Sequence, residues 1–279
     1  MDDNKIQELM AAHVSSLGPS PTTVAEYVEM LSKRPTPRRL DKTSLSYWFP
    51  MIEKAGLSVP KTEVITMPLE SQAIIWMAFD GRGNGQAAPV EPFYDDLKAA
   101  ALRLGLPCFL RTCQTSAKHQ WSRTCFVESV DCIRQHVFEI AEFSECADMM
   151  GLPWETWVVR EFLPTIPHGL CLTYGNMPVN REFRFFVDGE NVKCFHPYWP
   201  LEALRDGGWQ PDAPVDIAYA NLCNLTSDEE KELRILASRA GGAVGGEWSV
   251  DILETEKGWY VTDMAEAHKS FHWEGCHKP

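Results

Sequence analysis

Trp248-Ser-Val-Asp-Ile-Leu253 and Trp259-Tyr-Val-Thr-Asp-Met264 decide how this chain is read. The two stretches alternate apolar and polar residues and flank Glu256-Lys257-Gly258, the pattern of a β-hairpin. Ser249, Asp251 and Leu253 share one face of the first strand, and Val250 and Ile252 share the other. A carboxylate in mid-strand is costly unless it is paired or metal-bound. Carboxylates on adjacent antiparallel strands, here Asp251 and Asp263, can project from the same face. Such oxygen donors suit Mg²⁺. The same alternation also fits a hairpin whose polar face meets solvent.

Working outward, Gly245 to Pro279 contains seven acidic residues and three lysines. The opposite chemistry lies upstream. Between Leu97 and Val127 there is no acidic residue, while Lys98, Arg103, Arg111, Lys118 and Arg123 all fall there. In a chain of 279 residues with a formal net charge of −13, this is a local reversal of sign. Within it, the small polar run Arg111 to His119 links two apparent strands. Such a loop can wrap backbone N–H groups around phosphate oxygens while Lys118 supplies fixed charge; an ordinary loop with solvated cations has the same composition. Between these regions, Glu182-Phe-Arg-Phe-Phe-Val187 places Glu182 and Arg184 on one strand face and Phe183 and Phe185 on the other. An inward Arg meets a carboxylate or a phosphate; a Glu182–Arg184 surface ladder is the plainer alternative.

The remaining elements give a mixed chain. Two short helices are expected over residues 2–33, split by Gly18-Pro-Ser-Pro21, with Thr22 or Thr23 capping the second. A Pro- and Arg-rich connector with five basic residues follows, Lys33 to Lys42. Helices are expected over Ser44–Ala55, Glu91–Leu104, Val130–Met150 and Ser227–Ala240, the last stopped by Gly241-Gly242. Strands are expected over Thr62–Met67, Cys108–Thr112, Thr124–Glu128 and Trp157–Leu163, with a hairpin of Glu182–Val187 and Val192–Tyr198 around Asp188-Gly189. The fold class is α+β (α/β) in two lobes, without internal repeats.

Composition excludes several classes. The acidity argues against a protein that wraps nucleic acid nonspecifically. Apolar stretches such as Ala73–Phe79 are too short to span a bilayer, and the acidic start, Met1-Asp-Asp-Asn-Lys5, is unlike a secretory signal. Nine scattered cysteines without a CxxC pair indicate reduced thiols in a cytoplasmic protein rather than a zinc knuckle or disulfide framework. No Ser/His/Asp or Cys/His triad is recognisable. The last stretch, with His268, His272, Cys276 and His277, is rich in zinc-type ligands but lacks a zinc-motif spacing.

Four blocks, in order, carry a family resemblance: Phe109-Leu-Arg111 with Ser116-Ala-Lys118; Trp157-Val-Val-Arg160-Glu-Phe162; Glu182-Phe-Arg184-Phe-Phe-Val-Asp-Gly189; and Trp248-Ser-Val-Asp251-Ile252 with Trp259-Tyr-Val-Thr-Asp263. Together they resemble the ATP-grasp superfamily, in particular the branch with cell division cycle protein 123 and related bacterial and phage proteins. The resemblance spans roughly residues 105–275 and implies an ATP·Mg²⁺ site between two α+β lobes. It assigns 1–104 to a helical or mixed preceding region, 105–160 to the small lobe and 161–279 to the large lobe. Arg111, Ser116 and Lys118 would contact the nucleotide, and Val158-Val159-Arg160 would form the hinge that offers backbone groups to adenine. Arg184 would reach the phosphates, with Arg184 and Lys118 acting on the transferred group, and Asp251 and Asp263 would hold Mg²⁺. The family commonly has Lys where this chain has Arg111. Where the relative reads Phe-Asn-Pro, with Asn as a metal ligand, this chain reads Met264-Ala-Glu266, making Glu266 the candidate replacement.

The implied activity is that of an ATP-dependent ligase. It joins a small-molecule or peptide carboxylate to an amine through an acylphosphate, with catalysis by positioning and charge neutralisation. The alternative is an ATP-binding assembly chaperone or partner-binding protein without turnover, as in the cell division cycle branch; a protein that has kept the fold and lost its chemistry is a third reading. The acid-free stretch 97–127 and the acidic hairpin 247–266 are expected to form the two walls of one cleft.

Overall fold

The structure is a computed structural model that describes residues 21–34, 41–83, 88–147, 151–274 and 276. The first of the two expected N-terminal helices and most of the Pro/Arg connector lie outside them. The helices are α1 (Val24–Ser32), α2 (Leu45–Lys54), α3 (Leu69–Phe79), α4 (Glu91–Leu104), α5 (Ile133–Cys146), α6 (Leu201–Asp206), α7 (Val215–Cys223) and α8 (Ser227–Val244). The strands are β1 (Thr62–Thr66), β2 (Cys108–Thr112), β3 (Phe126–Val127), β4 (Thr156–Glu161), β5 (Leu170–Cys171), β6 (Met177–Pro178), β7 (Glu182–Asp188), β8 (Asn191–Pro197), β9 (Trp209–Gln210), β10 (Glu247–Thr255) and β11 (Gly258–Glu266). No helix among the described residues is long and apolar enough to cross a membrane.

The described parts of Met1–Thr36 and Pro68–Phe93 cluster as one compact unit, and those of Pro37–Met67 and Tyr94–Pro279 as a second. In the smaller unit, α1 starts with a capping box: the Thr23 hydroxyl accepts from the Glu26 N–H and the Glu26 carboxylate reaches back. Tyr27, Leu31 and Ala73 are buried between α1 and α3, and the Tyr27 hydroxyl bonds Asp80. The sequence pattern gave no helix at α3. Its run LESQAIIWMAF has no polar stripe opposite an apolar one, so it lacks the 3.6-residue signature.

The larger unit holds two four-stranded antiparallel sheets, ordered β1-β4-β2-β3 and β11-β10-β7-β8, and a small third sheet, β6-β5-β9. The second sheet has two chemically distinct faces. Phe183, Phe185 and Val187 of β7 and Val250 and Ile252 of β10 enter a core completed by Leu45, Trp48 and Ile52 of α2 and Leu233, Ala237 and Ala240 of α8. The opposite face carries Glu182 and Arg184 of β7 with Ser249, Asp251 and Leu253 of β10. That face is not a solvated one: Ser249 and Asp251 are 1% and 5% exposed.

Helix α8 does not stop at Gly241-Gly242 but runs to Val244 and ends at Gly245. The reason is contact, not termination. A Cβ on Gly241 would sit 2.2 Å from the Gly189 carbonyl oxygen and 2.6 Å from a Val187 methyl, so glycine lets the helix lie directly on the β7–β8 turn. That turn is Gly189-Glu190, one residue later than the pattern suggested, with Asp188 and Asn191 as the closing pair.

Candidate functional site

A cleft opens between the two large sheets of the second unit, with about 900 Å³ of empty space including its mouth. That is the scale of a small-ligand site. Phe109, Arg111 and Lys118 line it from the first sheet and the loop after β2, and Glu182, Asp251 and Asp263 from the second.

The first wall is cationic. In β2 and β4, Phe109 pairs with Arg160 and Arg111 with Val158, so Phe109, Arg111 and Arg160 share one face. Arg111 is 6% exposed; its Nε donates to the Thr112 carbonyl (3.0 Å) and its Nη1 to Asp263 Oδ2 (2.9 Å). Arg160 donates through Nε to Thr62 Oγ1 (3.1 Å) and through Nη1 to the Thr262 carbonyl (2.6 Å). Its Nη2 is buried without a partner. Burial, reinforced by the neighbouring Arg111, lowers the Arg160 guanidinium to about 9. A buried, unsatisfied guanidinium N–H beside a second arginine is what an incoming anion would relieve.

Lys118 stands over the ring of Tyr198 at 3.8 Å and that of Trp199 at 4.8 Å. Burial alone would lower its ammonium; Tyr198, Glu182 and Asp251 outweigh burial and hold it above its usual range. The loop between β2 and Lys118 departs from the expected phosphate cradle. The Gln114 and Thr115 N–H groups donate to Thr112 Oγ1 and the Ala117 N–H to Thr115 Oγ1, so these backbone donors are spent within the loop. Ser116 lines the cleft. Of the loop's charge, Lys118 is what reaches the site.

The second wall is acidic. Asp251 and Asp263 are directly opposite in the β10–β11 ladder, beside a bulge that follows Asp251. Arg184, opposite Asp251 in the β7–β10 ladder, grips it as a bidentate fork: Nε to Oδ1 at 2.7 Å and Nη2 to Oδ2 at 2.8 Å. Arg184 therefore meets a carboxylate rather than the cleft, and no Glu182–Arg184 ladder forms. Asp263 is also opposed by burial, but Arg111 outweighs it and lowers its carboxyl below the usual range. Glu182 is pushed the other way, up to about 7, by burial against the pull of Lys118, with Asp251 and Asp263 adding to the rise. Three carboxylates thus converge, one of them poised to take a proton near neutrality. Sequence reading placed Glu182 on the Arg184 face but gave it no role in the site, because the groups that perturb it come from three other segments.

Two expected site positions fall elsewhere. Val158 and Val159 belong to β4, which is paired with β1 on one side and β2 on the other, so their backbone groups are committed to the sheet. The continuation of that strand, Glu161, Phe162, Leu163 and Thr165, lines the cleft instead. There Trp121 stacks on Phe126 (5.4 Å) and meets Phe162 edge-on (6.2 Å), an aromatic end suited to a planar base. Glu266 alternates away from Asp263 and pairs with Lys269 at 2.8 Å. Ala265, which shares the Asp263 face, offers no ligand atom.

No protein-family model and no curated protein sequence matches the chain. Solved structures do. C-terminally truncated Cdc123 from Schizosaccharomyces pombe aligns at a TM-score of 0.51 and 14% identity, over 83% of this chain and 86% of that one. N5-carboxyaminoimidazole synthase from Aspergillus clavatus, in complex with ADP and 5-aminoimidazole ribonucleotide, aligns at 0.45 and 13% identity, over 90% and 52%. D-alanine–D-alanine ligase from Bacillus anthracis, complexed with ATP, aligns at 0.44 and 9% identity, over 81% and 54%. The chain spans about half the length of these two ligand-bound structures. The agreement with Cdc123, together with two antiparallel sheets facing each other across a cleft in the order the four sequence blocks lay down, gives this chain the ATP-grasp fold.

Proposed function

We propose that the chain is an ATP- and Mg²⁺-dependent ligase that joins a small-molecule or peptide carboxylate to an amine or similar nucleophile, releasing ADP. The observation that carries this reading is the opposition of charge across one cleft: Arg111, Arg160 and Lys118 face Asp251, Asp263 and Glu182. In this reading the Trp121–Phe162 end takes adenine and the continuation of β4 lies along its edge. Lys118 and the unpartnered Nη2 of Arg160 bind phosphate oxygens. The substrate carboxylate attacks the γ-phosphorus, ADP leaves, and the amine then displaces phosphate from the acyl carbon. The protein supplies no nucleophile; it positions the reactants and offsets charge.

The donor set suits the metal. Asp251, Asp263 and Glu182 are hard oxygen donors, with Glu182 in the place the sequence suggested for Glu266. Bound there, Mg²⁺ would neutralise charge on the terminal phosphates. Arg184 does not touch the reactants; it holds Asp251 in position.

Calorimetric titration with ATP, with and without Mg²⁺, tests the reading first. Binding that needs Mg²⁺ and is lost in Asp263→Ala supports it, and an absence of ATP binding sinks it. ADP release across a panel of carboxylates and amines then separates a ligase from the second reading, an ATP-binding partner protein that does not turn over. The observation favouring the second reading is Ala265, which leaves the acidic wall without a donor beside Asp263. A stoichiometric protein partner captured with ATP, and no ADP release across the panel, would decide for it.

A further inference from the structure

On the same side of the second sheet, beyond the Arg184–Asp251 pair, a second group of ligand-type side chains comes together. Cys194 Sγ lies 3.1 Å from His272 Nε2, and the ligand atoms of Cys194, His272 and Cys276 all fall within 4.8 Å of one another. Cys194 is buried in β8, while His272 is exposed. Two thiols and an imidazole are the ligand set of a thiophilic divalent ion. Zn–S and Zn–N bonds of about 2.3 and 2.0–2.1 Å set tetrahedral ligand atoms roughly 3.5–4 Å apart, the scale seen here.

The surroundings add independent observations. His196, two residues from Cys194 and on the same strand face, has its Nδ1 2.7 Å from the Pro197 carbonyl. An N–H at Nδ1 donating there leaves the lone pair on Nε2, the arrangement typical of a metal-ligating imidazole. That Nε2 is buried without a partner. The segment bringing His272 is fixed by other contacts: Ser270 bonds Ser249 at 2.6 Å, His272 stacks on Phe186 at 4.0 Å, and Trp273 stacks on His196 at 5.0 Å. The site is therefore assembled by folding, from a strand and a segment 78 residues further along.

We propose that Cys194, His272 and Cys276 form a Zn²⁺ site that clamps the segment after β11 across the sheet, next to the Arg184–Asp251 pair, with solvent completing the coordination. This site is separate from the Mg²⁺ donors, which are all oxygen.

The test uses the full chain, reduced, stripped with a chelator and titrated with Co²⁺ and then Zn²⁺. One equivalent of Co²⁺ with a thiolate-to-cobalt charge-transfer band, displaced by one equivalent of Zn²⁺, is expected. Cys276→Ser and His272→Ala should each weaken Zn²⁺ retention by at least about 10-fold, with melting temperatures of the stripped proteins separating loss of a ligand from loss of the His272–Phe186 stacking contact. Absence of the charge-transfer band in the reduced wild type would overturn the proposal. So would Zn²⁺ retention at the wild-type level in both variants, or a Cys194–Cys276 disulfide, seen as the loss of two hydrogens in the intact mass, in a protein that takes up no metal once reduced.

Discussion

Two arginine–aspartate pairs stand side by side at the acidic wall of the cleft, and they are built differently. Arg184 and Asp251 are neighbours in one sheet, joined by two hydrogen bonds, with side chains 15% and 7% exposed. Arg111 and Asp263 come from opposite sheets and share one hydrogen bond; Arg111 is 7% exposed but Asp263 is 40% exposed. The first pair is part of the sheet, and each partner relieves the desolvation of the other. The second pair closes the cleft from wall to wall, and a nucleotide with its metal would supply each partner with a replacement. The pairs share their chemistry, and their placement separates a positioning device from a latch.

The largest effect should follow from breaking the first pair. Arg184→Leu leaves the Asp251 carboxylate buried and uncompensated, a loss of about 3–5 kcal/mol of stability. Urea denaturation measures it, and Arg184→Leu with Asp251→Leu should recover most of the loss because no buried charge remains. A single variant as stable as the wild type would show that the fork is not what holds Asp251.

The latch predicts a different split between stability and binding. Arg111→Ala removes two hydrogen bonds, one to the Thr112 carbonyl and one to a carboxylate that solvent reaches, so unfolding free energy should change by about 1–2 kcal/mol. ATP affinity, in contrast, should fall roughly 10- to 100-fold, the value of one charged hydrogen bond. Calorimetry beside denaturation checks both. Equal effects in Arg111→Ala and Arg184→Leu would erase the distinction between the pairs.

Much of this was legible in the sequence, and the limits have physical causes. Period-two alternation separated the core face from the cleft face of β7 and β10, because each strand face meets a different environment along its length. That Asp251 and Asp263 can project from the same face was legible in the hairpin pattern, while their direct opposition depends on the bulge after Asp251. What failed depended on partners that are distant in the chain. The mid-strand position of Val158 and Val159 says nothing of whether their backbone groups are free, and pairing by β1 and β2 takes both sides. Gly241 resembles a helix stop until the Gly189 carbonyl is found against it. Glu182 and Cys194 look ordinary until the fold sets Lys118 and Asp263 beside one and His272 and Cys276 beside the other.

Protonation gives a further way to sharpen the comparison, because two carboxyls of the acidic wall are shifted in opposite directions. Glu182 is raised in the folded state to about 7, by burial first and by Asp251 and Asp263 next. Its proton is held more tightly in the folded protein than in the unfolded one. Its contribution to stability is therefore full below about 4.5 and is lost as pH rises to about 7, on the order of 3 kcal/mol. Asp263 is lowered by Arg111, so its contribution is present above its unfolded value and is lost as pH falls further. Glu182→Gln should flatten the decline in stability between pH 4.5 and 7 while leaving the acid limb unchanged. Thermal melts across this range measure it, and an unchanged profile would remove Glu182 from the carboxylate cluster.

The smallest effect tests the choice of arginine at position 111, where the ATP-grasp proteins that the sequence resembles commonly have lysine. Lysine keeps the charge but replaces a planar fork with a point donor. In this structure the fork is used in two directions at once, Nε to the Thr112 carbonyl and Nη1 to Asp263. One ammonium on a flexible stem cannot reproduce that divergence, so Arg111→Lys should keep one contact and give up the other. Stability should move by about 0.5 kcal/mol, within the range of exposed ion pairs. In the proposed ATP site, affinity should fall only a few-fold, because the positive charge at position 111 remains. Titrating ATP into Arg111→Lys and Arg111→Ala side by side separates the roles. If lysine restores affinity fully, the site uses charge alone and the contact with Thr112 is incidental. If lysine is as weak as alanine, the latch depends on the direction of the fork.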